Sequence, residues 1–237
     1  MLQACLNGAR AKADNAAVPA SAAELAADAA AVRAAGADEL HVHPRGPDGA
    51  ESLEPGDMAV ALDAIRRAAP GMPVGVSTGA WIAPGGTARH VMIRRWTTTL
   101  PDYASVNLSE DDAPAVIDIL LAKGIGVEAG LADRRDAARF LALPRAGRCL
   151  RVLIEVCADP AAALAEFRVV AEMLDRARLG LPVLLHGQGA SAWPMVAEAA
   201  RAGLSTRIGL EDVAVMPDGS PAPSNAALVA AAAALTR

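Results

Sequence analysis

The chain has 237 residues, enough for one α/β barrel, and its 22 basic residues are scattered among 27 acidic ones, which argues against a nucleic-acid-binding stripe. No apolar run approaches the roughly 20 residues of a membrane helix, and the three cysteines, Cys5, Cys149 and Cys157, lie in apolar runs typical of buried, reduced thiols. We therefore expect one domain over residues 1–237, cytoplasmic, with no nucleic acid and no membrane as a partner.

Strand and helix patterns alternate along the chain. Ser21 and Glu24 form a capping-box pattern at the start of the first helix, and Gly36 ends that helix. In chain order, the sequence predicts the following strands and helices: strand Leu2–Leu6, a helix from the Ser21 cap to Ala35, strand Ala37–His43, helix Pro55–Ala69, strand Pro73–Val76, helix Thr87–Thr98, strand Tyr103–Asn107, helix Asp111–Lys123, strand Gly126–Glu128, helix Leu131–Leu143, strand Cys149–Val156, helix Pro160–Arg178, strand Pro182–His186, helix Ser191–Ala202, strand Thr206–Leu210 and a last helix from Asn225.

Eight strand–helix pairs with no linker between them predict an α/β fold, a (β/α)8 TIM barrel. An open doubly wound sheet is the alternative. Such a sheet normally has a glycine-rich phosphate loop after its first strand, and the segment Asn7-Gly8-Ala9-Arg10 is not one. The barrel is therefore the preferred interpretation.

Polar residues recur at the predicted C-terminal ends of the strands, where barrel enzymes have their active sites. His41 and His43 are two apart in a strand, so their imidazoles leave the same face and could bind a divalent metal or simply pack. The full set of polar residues at this rim is Asn7, Arg10, His41, His43, Arg45, Ser77, Thr78, Asn107, Glu128, Glu155, His186, Arg207, Glu211 and Asp212.

Two histidines alone underfill a catalytic zinc site, which takes about three protein ligands and keeps one open position. Glu211 or Asp212, after the eighth strand, could supply the carboxylate, or both could cap the following turn. Ser77 and Thr78, on a turn with Gly79, suit a carboxylate or a developing oxyanion, or are ordinary turn residues.

Four sequence elements together resemble the β-keto acid cleavage enzymes, the family of the 3-keto-5-aminohexanoate cleavage enzyme. They follow the family's order, with Ser224-Asn225 before the last helix: His41-Val42-His43-Pro44-Arg45, Ser77-Thr78-Gly79, Ser105-Val106-Asn107-Leu108 and Arg207-Ile208-Gly209-Leu210-Glu211-Asp212. The resemblance implies a zinc-dependent barrel that condenses a β-keto acid with acetyl-CoA and yields acetoacetate and a new acyl-CoA. It also implies a homo-oligomer.

The resemblance also implies individual roles. It makes His41, His43 and Glu211 the zinc ligands, Arg207 and Asp212 the catalytic pair, and Ser77 a substrate contact. Thr78, Asn107, Arg10 and His186 are further candidates for substrate binding. Asp212 either orients Arg207 or carries a proton, and His186 is a general base, a CoA phosphate contact, a metal-side group or a rim histidine without catalytic duty.

Two departures from the family pattern concern specificity. Arg10 stands where much of the family has an acidic residue, and a positive group there suits an anionic substrate. The chain is also shorter than typical members, with compact loops after strands three, four and six, and Ser109-Glu110 replaces the usual Gly-Ser pair.

Two other functions remain open at this stage. A metal-dependent hydrolase on the same scaffold also uses His-x-His and a carboxylate after the eighth strand, although it normally places the pair on the first strand with further histidines on strands five and six. A metal-binding barrel without catalytic activity is the alternative from a different class.

Overall fold

A computed structural model of the protein describes residues 1–83, 87–156 and 159–236. Within these residues, eight parallel strands close into a barrel, with neighbouring strands consecutive in the chain and the last paired to the first. The strands are β1 (Leu2–Cys5), β2 (Glu39–Val42), β3 (Val74–Ser77), β4 (Tyr103–Asn107), β5 (Gly126–Leu131), β6 (Arg151–Val156), β7 (Val183–Gly187) and β8 (Ser205–Ile208). The predicted (β/α)8 barrel is confirmed.

A helix follows each strand and covers the outside of the barrel. The helices are α1 (Ala22–Ala35), α2 (Pro55–Ala68), α3 (Thr87–Arg94), α4 (Ala113–Ala122), α5 (Arg134–Leu141), α6 (Pro160–Ala177), α7 (Ala192–Ala202) and α8 (Asn225–Thr236). Helix α1 begins with the predicted capping box, because Ser21 and Glu24 exchange hydrogen bonds between side chain and backbone. None of the helices in the described residues is both long and apolar enough to cross a membrane.

Strand β5 is longer than predicted, and this corrects the position of Glu128. The strand continues to Leu131, with Glu128 opposite Ser105 on one side and Arg151 on the other. Glu128 therefore lies in the first half of its strand and not at the C-terminal rim. The strand was predicted to end at Glu128 because Ala129-Gly130 resembles a turn. In the structure these two residues continue the pairing with β4.

Other differences concern the ends of elements. Helix α3 ends at Arg94 and not at Thr98. Helix α5 begins at Arg134, since the Asp133 side chain accepts hydrogen bonds from the next backbone N–H groups and caps it. The prediction of buried thiols holds for Cys5 and Cys149, and Cys157 lies outside the described residues.

A buried ionic cluster fills the barrel near the N-terminal ends of the strands. We call it the basal cluster: Gln3, Glu39, Tyr103, Glu128 and Arg151. Arg151 donates to both oxygens of Glu39 and, from Nε, to Glu128 at 2.6 Å. The side-chain amide of Gln3 donates to both carboxylates, and the Arg151 guanidinium lies 4.6 Å from the centre of the Tyr103 ring. These contacts close the lower half of the barrel.

Candidate functional site

A cavity of about 330 Å³ opens at the C-terminal ends of the strands. Residues from seven of the eight strands, or from the loops that follow them, line it. They are Gly8, Ala9, Arg10, Asp14, His41, His43, Ser77, Trp81, Ser105, Asn107, Leu153, Glu155, Gln188, Arg207 and Glu211. The structure therefore brings most of the predicted site residues into one cavity.

The two histidines of β2 and its exit face each other inside the barrel. His41 Nε2 and His43 Nε2 are 3.1 Å apart, and both side chains are buried. Leu40 precedes the two histidines and Val42 lies between them. Both point into the hydrophobic core, as strand alternation requires. Asn7 fixes the exit of β2, since its side chain exchanges two hydrogen bonds with the backbone of His43.

Glu211 reaches this pair from the turn after β8. Its Oε1 lies 3.7 Å from His41 Nε2 and 3.6 Å from His43 Nε2. Gly8 makes the approach feasible: its φ is +53°, and a Cβ there would stand 2.5 Å from Glu211 Cγ. A side chain at position 8 would displace the carboxylate.

The three side chains fit a divalent metal. Their ligand atoms all lie within 4.8 Å of one another, the one such group in the described residues. The 3.1 Å between the two Nε2 atoms is close to the roughly 3.3 Å expected of two tetrahedral zinc ligands with bonds of about 2.05 Å. His41 Nδ1 and Glu211 Oε2 are buried and have no hydrogen-bond partner in the part of the chain that the structure describes. A cation held by His41, His43 and Glu211 would compensate this buried charge.

The electrostatics of the triad agree with a cation site. Burial lowers the pKa of His41 to about 4, although Glu211 opposes the shift. Burial also acts to lower the pKa of His43, but Glu211 and Glu51 outweigh it and raise the value to about 9. Burial acts to raise the pKa of Glu211, and the charges of Arg207, His41 and His43 hold it well below its ordinary value. The site therefore retains a negative carboxylate that favours positive charge beside it.

Arg207 and Asp212 form a buried ion pair next to the triad. One terminal nitrogen, Arg207 Nη2, donates to Asp212 Oδ1 at 2.7 Å and to Glu211 Oε1 at 2.9 Å. Burial raises the pKa of Asp212, and Arg207 only partly opposes this. Arg207 Nε and Asp212 Oδ2 have no hydrogen-bond partner, and Arg207 lines the cavity. The guanidinium thus keeps donor capacity beside the cavity.

His186 lies behind the cavity wall, fully buried between two carboxylates. Its Nε2 is 3.4 Å from Glu155 Oε2 and its Nδ1 is 3.8 Å from Asp212 Oδ1. Glu155 lines the cavity and accepts a 2.6 Å hydrogen bond from the Gln188 side chain. Burial would raise the pKa of Glu155, but its contacts with His186 and the charge of Arg207 lower it to about 2. His186 therefore does not line the cavity, and its Nε2 side meets it through Glu155.

The remaining predicted residues divide into two groups. Ser77, Asn107 and Arg10 line the cavity, and Arg10 Nε contacts the Glu211 carbonyl oxygen at 3.4 Å. Thr78 does not line it: its hydroxyl donates to the Ser105 carbonyl at 2.6 Å and ties β3 to β4. The hydroxyl of Thr78 is therefore engaged between two strands, and substrate binding by Thr78 stays a prediction.

Arg45 braces the rim of the barrel. Its guanidinium donates to the carbonyl oxygens of Gly8, Arg10 and Gly49, which joins the loops after β1 and β2. It is not among the residues that line the cavity.

Sequence reasoning missed several residues of the site, and Glu51 and Trp81 matter most for its geometry. Glu51 contacts His43 Nδ1, and Trp81 lines the cavity. The Asp48-Gly49 turn was a usable signal for Glu51, since a turn there predicts a hairpin that returns the chain to the histidines. Trp81 follows Gly79 in the loop after β3, and a single aromatic residue in a loop carries no distinctive pattern.

Comparisons with known proteins agree with the fold and the motifs. The family model of the beta-keto acid cleavage enzyme matches residues 1–237. A 3-oxoadipate:acetyl-CoA acetyltransferase from Cupriavidus necator is 30% identical over 237 residues, covering 94% of this chain and 83% of that protein.

Solved structures show the same fold at low sequence identity. ObcA in a ternary complex with a C4-CoA adduct and oxalate has a TM-score of 0.74 and 16% identity; the match covers 90% of this chain. This chain spans only 62% of the ObcA chain. A type I 3-dehydroquinate dehydratase from Clostridium difficile has a TM-score of 0.65 and 12% identity over 93% of this chain and 87% of that one.

Proposed function

The chain belongs to the β-keto acid cleavage enzyme family, and we propose that it is an acyltransferase that condenses a β-keto acid with acetyl-CoA. The CH2–carboxylate fragment of the keto acid joins the acetyl group to give acetoacetate, and the remaining acyl group leaves on CoA. The observation that carries the proposal is the His41–His43–Glu211 triad in one cavity with the Arg207–Asp212 pair.

His41, His43 and Glu211 would hold the metal, and zinc suits two neutral imidazoles and a carboxylate. Bound there, zinc would act as a Lewis acid on the keto oxygen and stabilise negative charge on it. The chain itself limits the exposure of the triad to water, since both histidines are buried and Glu211 is only 13% exposed. The buried setting strengthens each charge interaction in the site.

Arg207 would bind the carboxylate of the β-keto acid. A guanidinium can hold a carboxylate with two parallel hydrogen bonds, and the unpaired Nε of Arg207 provides one donor for this. Asp212 holds the guanidinium in place through Nη2. Its unpaired Oδ2, together with a raised pKa caused by burial, also suits it to accept and return a proton.

Arg10 would select the rest of the keto acid. Its side chain lines the cavity and makes no ion pair among the described residues, so its charge is available to a ligand. The relative from Cupriavidus necator is named for 3-oxoadipate, which carries a second carboxylate. We propose a β-keto acid with a distal anionic group as the substrate, with Ser77 and Asn107 as neutral contacts and His186 acting through Glu155.

The test is direct. The zinc-loaded protein is mixed with acetyl-CoA and a panel of β-keto acids, and acetoacetate is measured. We expect acetoacetate with dicarboxylic keto acids and about one zinc per chain in the purified protein, falling below about half in His41→Ala. Hydrolysis of esters or amides without acetoacetate from any keto acid would favour the hydrolase instead. The homo-oligomer stays a prediction, to be checked by light scattering.

A further inference from the structure

A short hairpin after β2 returns the chain to His43. Arg45 and Glu51 form an antiparallel bridge, and backbone hydrogen bonds from Gly46 to Ala50 and from Ser52 to Pro44 close it, each 2.9 Å. The hairpin places Glu51 beside the histidine that lies eight residues earlier. The position of this carboxylate is therefore set by backbone structure and not by a flexible loop.

Glu51 uses its two oxygens for two different partners. Oε1 accepts a short hydrogen bond from His43 Nδ1, and Oε2 accepts one from the indole Nε1 of Trp81 at 2.9 Å. When His43 Nδ1 carries the hydrogen, the lone pair of its Nε2 points towards His41 and Glu211, where a metal would bind. His41 has no comparable partner, since its Nδ1 is unpaired.

The loop that carries Trp81 is also held from its other side. Glu110 accepts a 2.8 Å hydrogen bond from the Ala80 backbone N–H and forms an ion pair with Arg89. Arg89 also donates a hydrogen bond to the Thr78 carbonyl at 2.7 Å. Gly79 leaves room for the indole, because a Cβ there would stand 2.3 Å from the ring. Glu110, at a departure from the family pattern, thus secures this loop.

We propose that Glu51 is a positioning residue that couples metal occupancy at His43 to the Trp81 wall of the cavity. The inference rests on the metal site of the proposed function. It assigns a role to Glu51, which is not one of the three proposed metal ligands and contacts one of them, His43. A carboxylate behind a metal-bound histidine fixes the ring and increases its basicity, and such partners typically contribute 10- to 100-fold in metal affinity. Here the same carboxylate also holds an indole that is half-exposed to the cavity.

Glu51→Gln cannot keep both hydrogen bonds of the Glu51 carboxylate, to His43 and to Trp81. A carboxylate can accept from both N–H donors at once, whereas an amide has one acceptor oxygen and turns its NH2 group towards the other donor. We expect the Kd for Zn2+, measured by chelator competition, to rise about 10- to 100-fold. Trp81→Phe removes only the indole bond and should leave that Kd within about threefold, since the His43 contact remains.

Tryptophan emission gives the second readout. Zn2+ should change the emission of the wild type but not of Trp81→Phe, which identifies Trp81 as its source. In Glu51→Gln at saturating Zn2+, the change should fall to less than about half. The matched control is Glu54→Gln, a partly exposed carboxylate paired with Arg95 at 3.2 Å, which should behave as the wild type in both measurements.

Each contrary result is decisive. Unchanged Zn2+ affinity in Glu51→Gln, with binding lost in His41→Ala, overturns the role of Glu51 and leaves the metal site intact. Unchanged affinity in His41→Ala overturns both proposals. If Glu51→Gln does not fold, the wild type and Trp81→Phe still decide: equal Zn2+-dependent emission from the two proteins overturns the coupling.

Discussion

Two charged clusters lie inside the barrel, one at each end, and they differ in how completely their polar atoms are paired. In the basal cluster, one buried oxygen, Glu128 Oε2, lacks a hydrogen-bond partner. The upper cluster, at the C-terminal end, consists of His41, His43, His186, Arg207, Glu211 and Asp212. Among the described residues, five of its buried atoms lack a partner: His41 Nδ1, His186 Nε2, Arg207 Nε, Glu211 Oε2 and Asp212 Oδ2. Each cluster combines one arginine with two carboxylates inside the barrel.

From this difference we infer which charges stabilise the fold and which are available to a ligand. Arg151 is enclosed by two carboxylates and an aromatic ring, so it has no donor directed at a cavity. Arg207 faces a cavity and keeps an unpaired Nε. Unpaired buried atoms cost about 1–3 kcal/mol each, and a ligand or metal can recover that cost. Removing a basal charge should therefore affect stability, and removing an upper one should affect catalysis.

The largest effect is expected from Arg151→Met. This variant leaves Glu39 and Glu128 as uncompensated buried carboxylates, which typically destabilises a protein by about 3–5 kcal/mol. Denaturant unfolding measures the loss. Adding Glu39→Gln and Glu128→Gln should restore most of the stability, because the cluster is then neutral. A fall in kcat/KM of more than about tenfold in the folded variant would contradict the claim that the basal cluster serves stability and not catalysis.

Arg207→Lys should have the opposite profile. The ammonium keeps the charge but cannot reproduce two parallel hydrogen bonds to a carboxylate, so we expect kcat/KM to fall about 100-fold, or about 2.7 kcal/mol. Zinc content should stay near the wild-type value, which separates this loss from damage to the metal triad. A fully active lysine variant would contradict the role given to Arg207.

The fold was predictable because its signals are local. Strand and helix periods repeat eight times, and parallel strands joined by helices leave few topologies. The length of β5 was not predictable, because Ala129 and Gly130 carry no strand preference and are fixed by pairing with β4. That error placed Glu128 among the polar residues of the C-terminal rim, although it belongs to the basal cluster.

The site was predictable only where a residue sits directly on a strand end or in a specific motif. His41, His43, Arg207 and Glu211 meet as the motifs indicate. The direction of a side chain from a turn depends on tertiary contacts, so the sequence does not reveal that the hydroxyl of Thr78 donates to the Ser105 carbonyl. Contacts between loops, such as the hydrogen bond from Trp81 to Glu51, join residues that are far apart in the chain, so no motif spacing predicts them.

Asp28 sharpens the comparison, because it is a largely buried carboxylate whose partner is an amide and not a cation. Asn225 Nδ2 donates to it at 2.6 Å, and burial raises its pKa from 3.8 to about 6. Its protonated form is thus favoured in the folded state, so stability should decrease as pH rises from about 4 to about 6 and then stay reduced.

Asp28→Asn removes this penalty. The full pKa shift corresponds to about 3 kcal/mol, and because Asp28 is not completely buried we expect the variant to stabilise the protein by about 2 kcal/mol above pH 7. The gain should vanish below about pH 4, and denaturant unfolding of the chelated protein across this range measures it. Asp63→Asn, at an exposed position of α2, is the control and should change stability by less than about 0.5 kcal/mol. A gain that does not depend on pH would mean that the charge of Asp28 is not the cause.

Arg10 gives the smallest expected effect, because it belongs to neither cluster: it is partly exposed, and its charge meets no carboxylate among the described residues. A charge-assisted contact with a ligand contributes about 1.5 kcal/mol. Arg10→Met should therefore raise KM for a dicarboxylic β-keto acid about tenfold, with little change for an uncharged one. Lys12→Met is the control, since Lys12 pairs with Glu24 away from the cavity. An equal loss with both substrates would mean that Arg10 stabilises the rim and does not bind the distal group of the substrate. A charge that lines the cavity would then be structural, and lining the cavity would no longer identify a ligand-binding charge.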